Sequence, residues 1–197
     1  MRLLPFLLAL LPLSSCLIQF EYGDHYEEAV NAGHVERYVK PFDAAVLQSY
    51  LAGNYERPDS FSMMEVNSKQ LKRACSGKYV WLNVFAPYCP VVYKDCGVVK
   101  TANSLTDSSD VPLLMISTTY QAILAKDIQD SLSFQAPILV VSNAEYGEKN
   151  RVRKRSWQHM FEELIEKKYP KDCNQLLLRA NGSCACLTYD GEFKEIE

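Results

Sequence analysis

Cys89 is the residue of this chain best placed to do chemistry. It lies in FAPYCPVVYKDC, Phe85 to Cys96, after the apolar run YVWLNVF and immediately before Pro90. Proline suits the first turn of a helix, where its missing N–H would have had no partner. A thiol just ahead of such a turn feels the positive end of the helix dipole and unpaired backbone N–H groups, which favour the thiolate and lower its pKa. Attack on a disulfide sulfur is the chemistry this permits. The next cysteine, Cys96, is about 10 Å further along a straight helix, beyond the roughly 7 Å Cα separation a disulfide spans. It could pair with Cys89 only if the first turn unwinds. Burial as a small apolar side chain on the inner face of its helix is the plainer account of it, and a bond to Cys75 the second.

The 197 residues are 48% hydrophobic and 23% charged with a net charge of -3, the composition of an ordinary globular domain with one core. No basic face dominates, which excludes nucleic acid as a main partner. The local run KNRVRKR, Lys149 to Arg155, is read as a solvated loop. Residues 1–15 predict a signal peptide: Arg2, an apolar run from Leu3 to Leu13, then small residues. The run is too short to span a bilayer. Leu13-Ser14-Ser15-Cys16 resembles the lipobox of bacterial lipoproteins, which implies lipidation at Cys16, an anchored mature chain and a place in the cell envelope facing the periplasm or the exterior. Removing Cys16 from the seven cysteines leaves Cys75, Cys89, Cys96, Cys173, Cys184 and Cys186. An exported compartment can hold these as disulfides.

The elements that must position Cys89 follow from hydrophobic periodicity. Between residues 16 and 58, Tyr26, Val30, Val35, Tyr38 and Val39, then Phe42, Val46, Leu47 and Tyr50, predict two short helices broken near Pro41, as a cover for one face or a tether. Residues 59–197 alternate strand and helix. The spacing predicts strands at Phe61 to Val66, Tyr79 to Phe85, Leu113 to Ser117 and Ile138 to Val141. Helices are expected from Asn67 or Ser68 to Cys75, from Pro90 to Asn103, from Tyr120 to Leu132, and through Trp157 to Tyr169. Such alternation implies parallel strands with helices on both faces. Asn181-Gly182 between two apolar runs predicts a hairpin with a two-residue type I′ turn. In that register Cys184 faces Arg179, Cys186 faces Leu177, and Cys173 lies about 13 Å from Cys186 along the ladder. A bond between them needs a bent strand or another register.

Val84-Phe85-Ala86-Pro87-Tyr88-Cys89-Pro90 resembles the active-site segment of thioredoxin-fold proteins, an apolar strand ending in aromatic-Ala-x-aromatic-Cys. Gly77-Lys78-Tyr79 to Phe85 resembles the lead-in of the TlpA-like branch, which is secreted or membrane-anchored. The resemblance implies an α/β fold with a thioredoxin-like central mixed sheet flanked by helices, here with an N-terminal helical extension and a C-terminal β-hairpin. It also places Pro137, in Ala136-Pro137 ahead of ILVV, as the family's cis-proline. That residue would face Cys89 beside Tyr88 and pair with an extended peptide.

The departure is Val92, where the family's CxxC has its resolving thiol. The CxxxC of copper-delivering relatives would need a thiol at Tyr93. Two functions from different classes follow: a monothiol disulfide protein acting on exported protein thiols, or a non-catalytic module that holds extended peptide segments. Peroxiredoxins share the fold, but Ala86 stands where they need threonine, and recruitment of Arg151 or Arg153 has no support. Cys184-Ala-Cys186 with Cys173 is read as packing or a disulfide rather than a metal site. His25, His34 and His159 have no paired ligand spacing. No cofactor is implied.

Overall fold

YVWLNVF forms the strand on which the sheet is built. The computed structural model describes residues 26–85, 111–131, 134–147, 156–170, 173–188 and 192–196. In chain order the strands are β1 (Val39–Lys40), β2 (Met63–Val66), β3 (Val80–Phe85), β4 (Leu113–Ser117), β5 (Ile138–Val141), β6 (Cys173–Leu178), β7 (Cys184–Thr188) and β8 (Phe193–Glu195). The helices are α1 (Tyr26–Asn31), α2 (His34–Tyr38), α3 (Ala44–Leu51), α4 (Ser68–Ala74), α5 (Ala122–Ser131), α6 (Asn143–Tyr146) and α7 (Ser156–Ile165). The fold is α/β, with one eight-stranded mixed sheet in the order β1-β2-β5-β4-β3-β6-β7-β8. From β1 to β3 the neighbours are parallel, and from β3 to β8 they are antiparallel.

The central strands carry apolar residues at successive positions because both faces are covered. Along β3, Val80 and Leu82 point into a first core with Leu47, Leu71, Phe161 and Leu164. Trp81 and Phe85 point into a second with Ala29, Ala125 and Ile128. Helices α3, α4 and α7 therefore cover one face, and α1, α2 and α5 the other. Handedness explains the division. The β2-to-β3 connection crosses the sheet in one direction through α4, the β4-to-β5 connection crosses in the other through α5, and right-handed crossovers in opposite directions use opposite faces.

Local chemistry sets the helix ends. Asp43 caps α3, accepting from Ala45 N at 2.9 Å. Asn67 and Gln70 form a capping box at α4, and Gly77 at φ 73° turns the chain out of the α4 end. The N-terminal segment has three helices and a strand where periodicity gave two helices. It is part of the layers, since Val39 pairs with Met63 and Tyr26 packs edge-on against Tyr120 at 4.8 Å. Strands β1 and β8 and helix α6 are too short for a periodic signal. No helix among the described residues is long and apolar enough to cross a membrane.

Three elements of the first face are joined by a polar clasp. Ser68 Oγ donates to Glu163 Oε2 at 2.8 Å, and Tyr146 Oη lies 2.6 Å from the same oxygen and 3.0 Å from Ser68 Oγ. His159 Nδ1 stands 3.9 Å from Glu163 Oε1. The serine is bonded to the carboxylate rather than to the imidazole, so this is a clasp between α4, α6 and α7 and not a nucleophile–base pair. The Tyr146 hydroxyl, with a smaller part from Ser68, holds the Glu163 carboxyl below its ordinary 4.5. A depressed folded-state pKa contributes stability above the unfolded value and loses it as pH falls through the folded one. Glu163→Gln should therefore lower the urea midpoint at pH 7, and the gap from wild type should close between about pH 5 and 3. A gap independent of pH would rule this carboxylate out.

Candidate functional site

Strand β3 ends at Phe85 with parallel β4 on one side and antiparallel β6 on the other. Thr118 N donates to Phe85 O at 3.0 Å, so the two parallel neighbours end together. The chain leaves this carboxyl edge towards the segment predicted to react. Tyr88, Cys89 and Cys96 lie outside the described residues, as does Cys16.

Pro137 is described, and its placement differs from the one the resemblance implied. It precedes β5, which pairs with β2 and β4 and is separated from β3 by β4. Met115 pairs with both Asn83 and Ile138, which puts Pro137 level with Leu82, towards the opposite end of the strands from Phe85. No cis peptide occurs among the described residues, so Ala136–Pro137 is trans. The antiparallel strand beside β3 is instead β6, whose first residue is Cys173. Periodicity gave ILVV correctly as a strand but carried no information on which neighbours it would take.

Cys173 is bonded to Cys186, with Cα atoms 5.5 Å apart. Two departures from the predicted hairpin bring them together. First, the turn holds three residues rather than two: Arg179 N donates to Ser183 O at 3.0 Å, Gly182 N to Arg179 O at 2.9 Å, and Gly182 takes φ 84°. Cys186 thus pairs with Leu176 and Cys184 with Leu178. Second, a bulge between Cys173 and Gln175 inserts one residue and pairs Cys173 with Thr188. One inserted residue reverses the facing of everything before it, which turns Cys173 onto the side of Cys186. Closing this short loop stabilises the fold by about 3 kcal/mol in the chain-entropy account.

The other two described cysteines are free and buried. Burial pushes the Cys75 thiol up to about 12, against a smaller opposing effect of Lys78. Burial also raises Cys184, with Lys72, Arg179 and Lys167 opposing it. Neither forms a thiolate readily, and buried thiols of this kind are inert. Cys96, the other half of the possible bond to Cys75, lies outside the described residues.

Two residues missed in the sequence lie at the β3–β6 seam. Asn83 and Gln175 are a cross-strand pair, both 0% exposed. Asn83 Oδ1 and both amide atoms of Gln175 have no hydrogen-bond partner, and Asn83 Nδ2 reaches only Met115 Sδ at 3.3 Å. The signal was one asparagine inside the apolar YVWLNVF and one glutamine directly ahead of LLL.

A second polar group sits at the carboxyl ends of β4 and β5. Helix α5 leaves β4 towards the second face, and α6 leaves β5 towards the first. Crevices at such switch points are where open α/β sheets place ligands. Here Tyr120 fills the crevice from within. Its hydroxyl reaches Val141 O at 2.8 Å, accepts from Asn143 N at 2.7 Å and bonds the Glu65 carboxylate. Burial first, then Glu65, raises the Tyr120 pKa, so the phenol stays protonated. No group of side chains able to hold a metal ion occurs among the described residues.

Comparison with protein-family models, curated proteins and solved structures finds no match for this chain.

Leaving a polar amide buried without a partner costs roughly 1–3 kcal/mol. Gln175→Met keeps the side chain's length and removes both orphaned atoms. It should raise the stability measured by urea denaturation by about 1 kcal/mol; a loss of stability would mean that the amide has a partner in solution.

Proposed function

We propose that this protein is an exported, lipid-anchored thiol–disulfide protein on a thioredoxin-like scaffold, with Cys89 as its single reactive thiol. The observation that carries this is the state of the other cysteines. Of the six beyond Cys16, Cys173 and Cys186 are bonded to each other, and Cys75 and Cys184 are buried with raised pKa values. Cys89 and Cys96 are left, and only Cys89 combines an exit from a central strand with a proline-started helix. The hairpin disulfide supports the exported reading, since such bonds persist in oxidising compartments. A β3 flanked by one parallel and one antiparallel neighbour supports the scaffold.

The step is an exchange. The Cys89 thiolate attacks one sulfur of a disulfide in an exported protein, forming a mixed disulfide and expelling the other sulfur as thiolate. Val92 offers no second thiol, so an external thiol must release the mixed disulfide and leave Cys89 reduced. A module that only holds peptides would have used the backbone beside Pro137. With β4 lying between Pro137 and β3, the thiol–disulfide reading is favoured over that one.

Alkylation by iodoacetamide across pH, with labelled peptides mapped, tests the reactive thiol. Cys89 should label with a midpoint well below the ordinary thiol value of about 8.5, while Cys75 and Cys184 label only after denaturation. A Cys89 that resists labelling, or titrates as an ordinary thiol, would sink the proposal. For the anchor, cells fed radiolabelled palmitate should label the wild-type chain and not Cys16→Ala, which should appear in the soluble fraction. Equal labelling of both would place the lipid elsewhere.

A further inference from the structure

The C-terminal hairpin has two registers open to it. Strand β7 is buried at all five positions: Cys184 and Cys186 face the first core and Leu187 the second, with Ala185 at 0% exposure. Slipping β7 by one residue against β6 would exchange the pair Cys184 and Cys186 for the pair Ala185 and Leu187, both apolar and similar in combined size. Register is strongly specified where one face is buried and the other wet, and here that distinction is missing.

The turn does not settle the matter. Gly182 in a left-handed conformation closes the observed three-residue loop, but Asn181-Gly182 is also the preferred pair for a two-residue type I′ turn. Strand β8 pairs only with β7, through Ala185–Glu195, Cys186–Lys194 and Leu187–Phe193, and travels with it. The Arg179–Glu195 ion pair bridges the turn end to β8 through two parallel bonds of 2.6 Å, with Glu195 largely in solvent, and adds modestly to the observed register. Phe193 against Trp81 and Ile196 against the first core also belong to the observed register, and the disulfide is the one covalent feature among the described residues that does. With a two-residue turn and no bulge, Cys186 pairs with Leu177 and Cys173 lies four ladder positions away, out of bonding range.

We propose that the Cys173–Cys186 bond is a register lock on this hairpin. Oxidised, it holds the three-residue turn and the bulge at the start of β6. Reduced, it releases β7 and β8 to the two-residue turn, with Cys184 and Cys186 turned to the second face and Ala185 and Leu187 to the first. The reductant is a dithiol: its first thiolate cleaves the S–S bond, its second closes on the mixed disulfide, and the protein keeps two thiols while the reductant becomes a disulfide. Burial of both sulfurs, 3% and 1% exposed by residue, keeps the lock shut until the start of β6 opens. Because β6 pairs with β3 as far as Gln175 and Asn83, and Cys173 lies two residues before that pair, release alters the strand neighbouring the point where the chain leaves that edge.

Cross-strand α-proton contacts measured by NMR test this without reference to Cys89. The oxidised protein should give Leu176–Cys186 and Leu178–Cys184 contacts. After reduction with a trialkylphosphine, which gives two electrons to the S–S bond and takes its oxide oxygen from water while the two sulfurs take the protons, those should be replaced by Leu177–Cys186 and Arg179–Cys184. The Cys173→Ala/Cys186→Ala variant should give the second set without any reductant. Persistence of the first set in both samples would overturn the proposal. So would loss of both sets after reduction of the folded wild type, because the bond would then be a staple and not a selector.

Discussion

Burial of β3 on both faces is the constraint from which the rest of the architecture follows. A strand with Val80 and Leu82 on one side and Trp81 and Phe85 on the other cannot lie at a water-facing surface. It requires a helical layer above and another below, and the chain supplies them by reversing the direction of its crossovers between α4 and α5. That reversal in turn creates the switch point between β4 and β5, which Tyr120 occupies. The resulting three layers hold β3 in place as far as its carboxyl end at Phe85.

The same burial explains the cysteine chemistry. Four thiol-bearing positions lie in the first core, and a low-polarity environment penalises the thiolate far more than the thiol. Two of them escape titration altogether through their bond. Reactivity is therefore a matter of position in the layers. A cysteine within a strand or at the close of a buried helix is withdrawn.

How much of this was legible in the sequence depended on whether a signal was local. The strand runs MMEV, VWLNVF, LLMIS and ILVV, the α4 cap at Asn67 and the amphipathic α7 were all visible, because periodicity and capping are properties of neighbouring residues. The sheet order was not, because nothing in ILVV distinguishes a strand that joins β2 to β4 from one lying beside β3. Pro137 was misplaced for that reason. The hairpin register failed in a similar way: Asn181-Gly182 fits two turns, and the choice between them depends on Cys173, which reaches Cys186 through a bulge no local pattern announces. Asn83 and Gln175 were hidden by the assumption that a polar residue in an apolar run is incidental. The fold class was thus within reach, while the arrangement around the site needed contacts between residues distant in the chain.

The two ends of the sheet have a bearing on how the protein behaves in company. An open sheet of eight strands presents two edges, each a template on which another chain can add. Here one edge is the two-residue β1 and the other the three-residue β8, which carries Lys194 and Glu195. Edges so short offer too few backbone groups to recruit a foreign strand, and the charges on β8 penalise its burial against another sheet. A protein whose longest strands are nearly continuous runs of Val, Leu, Ile and Met keeps them all in the interior and meets its neighbours with its least adhesive elements.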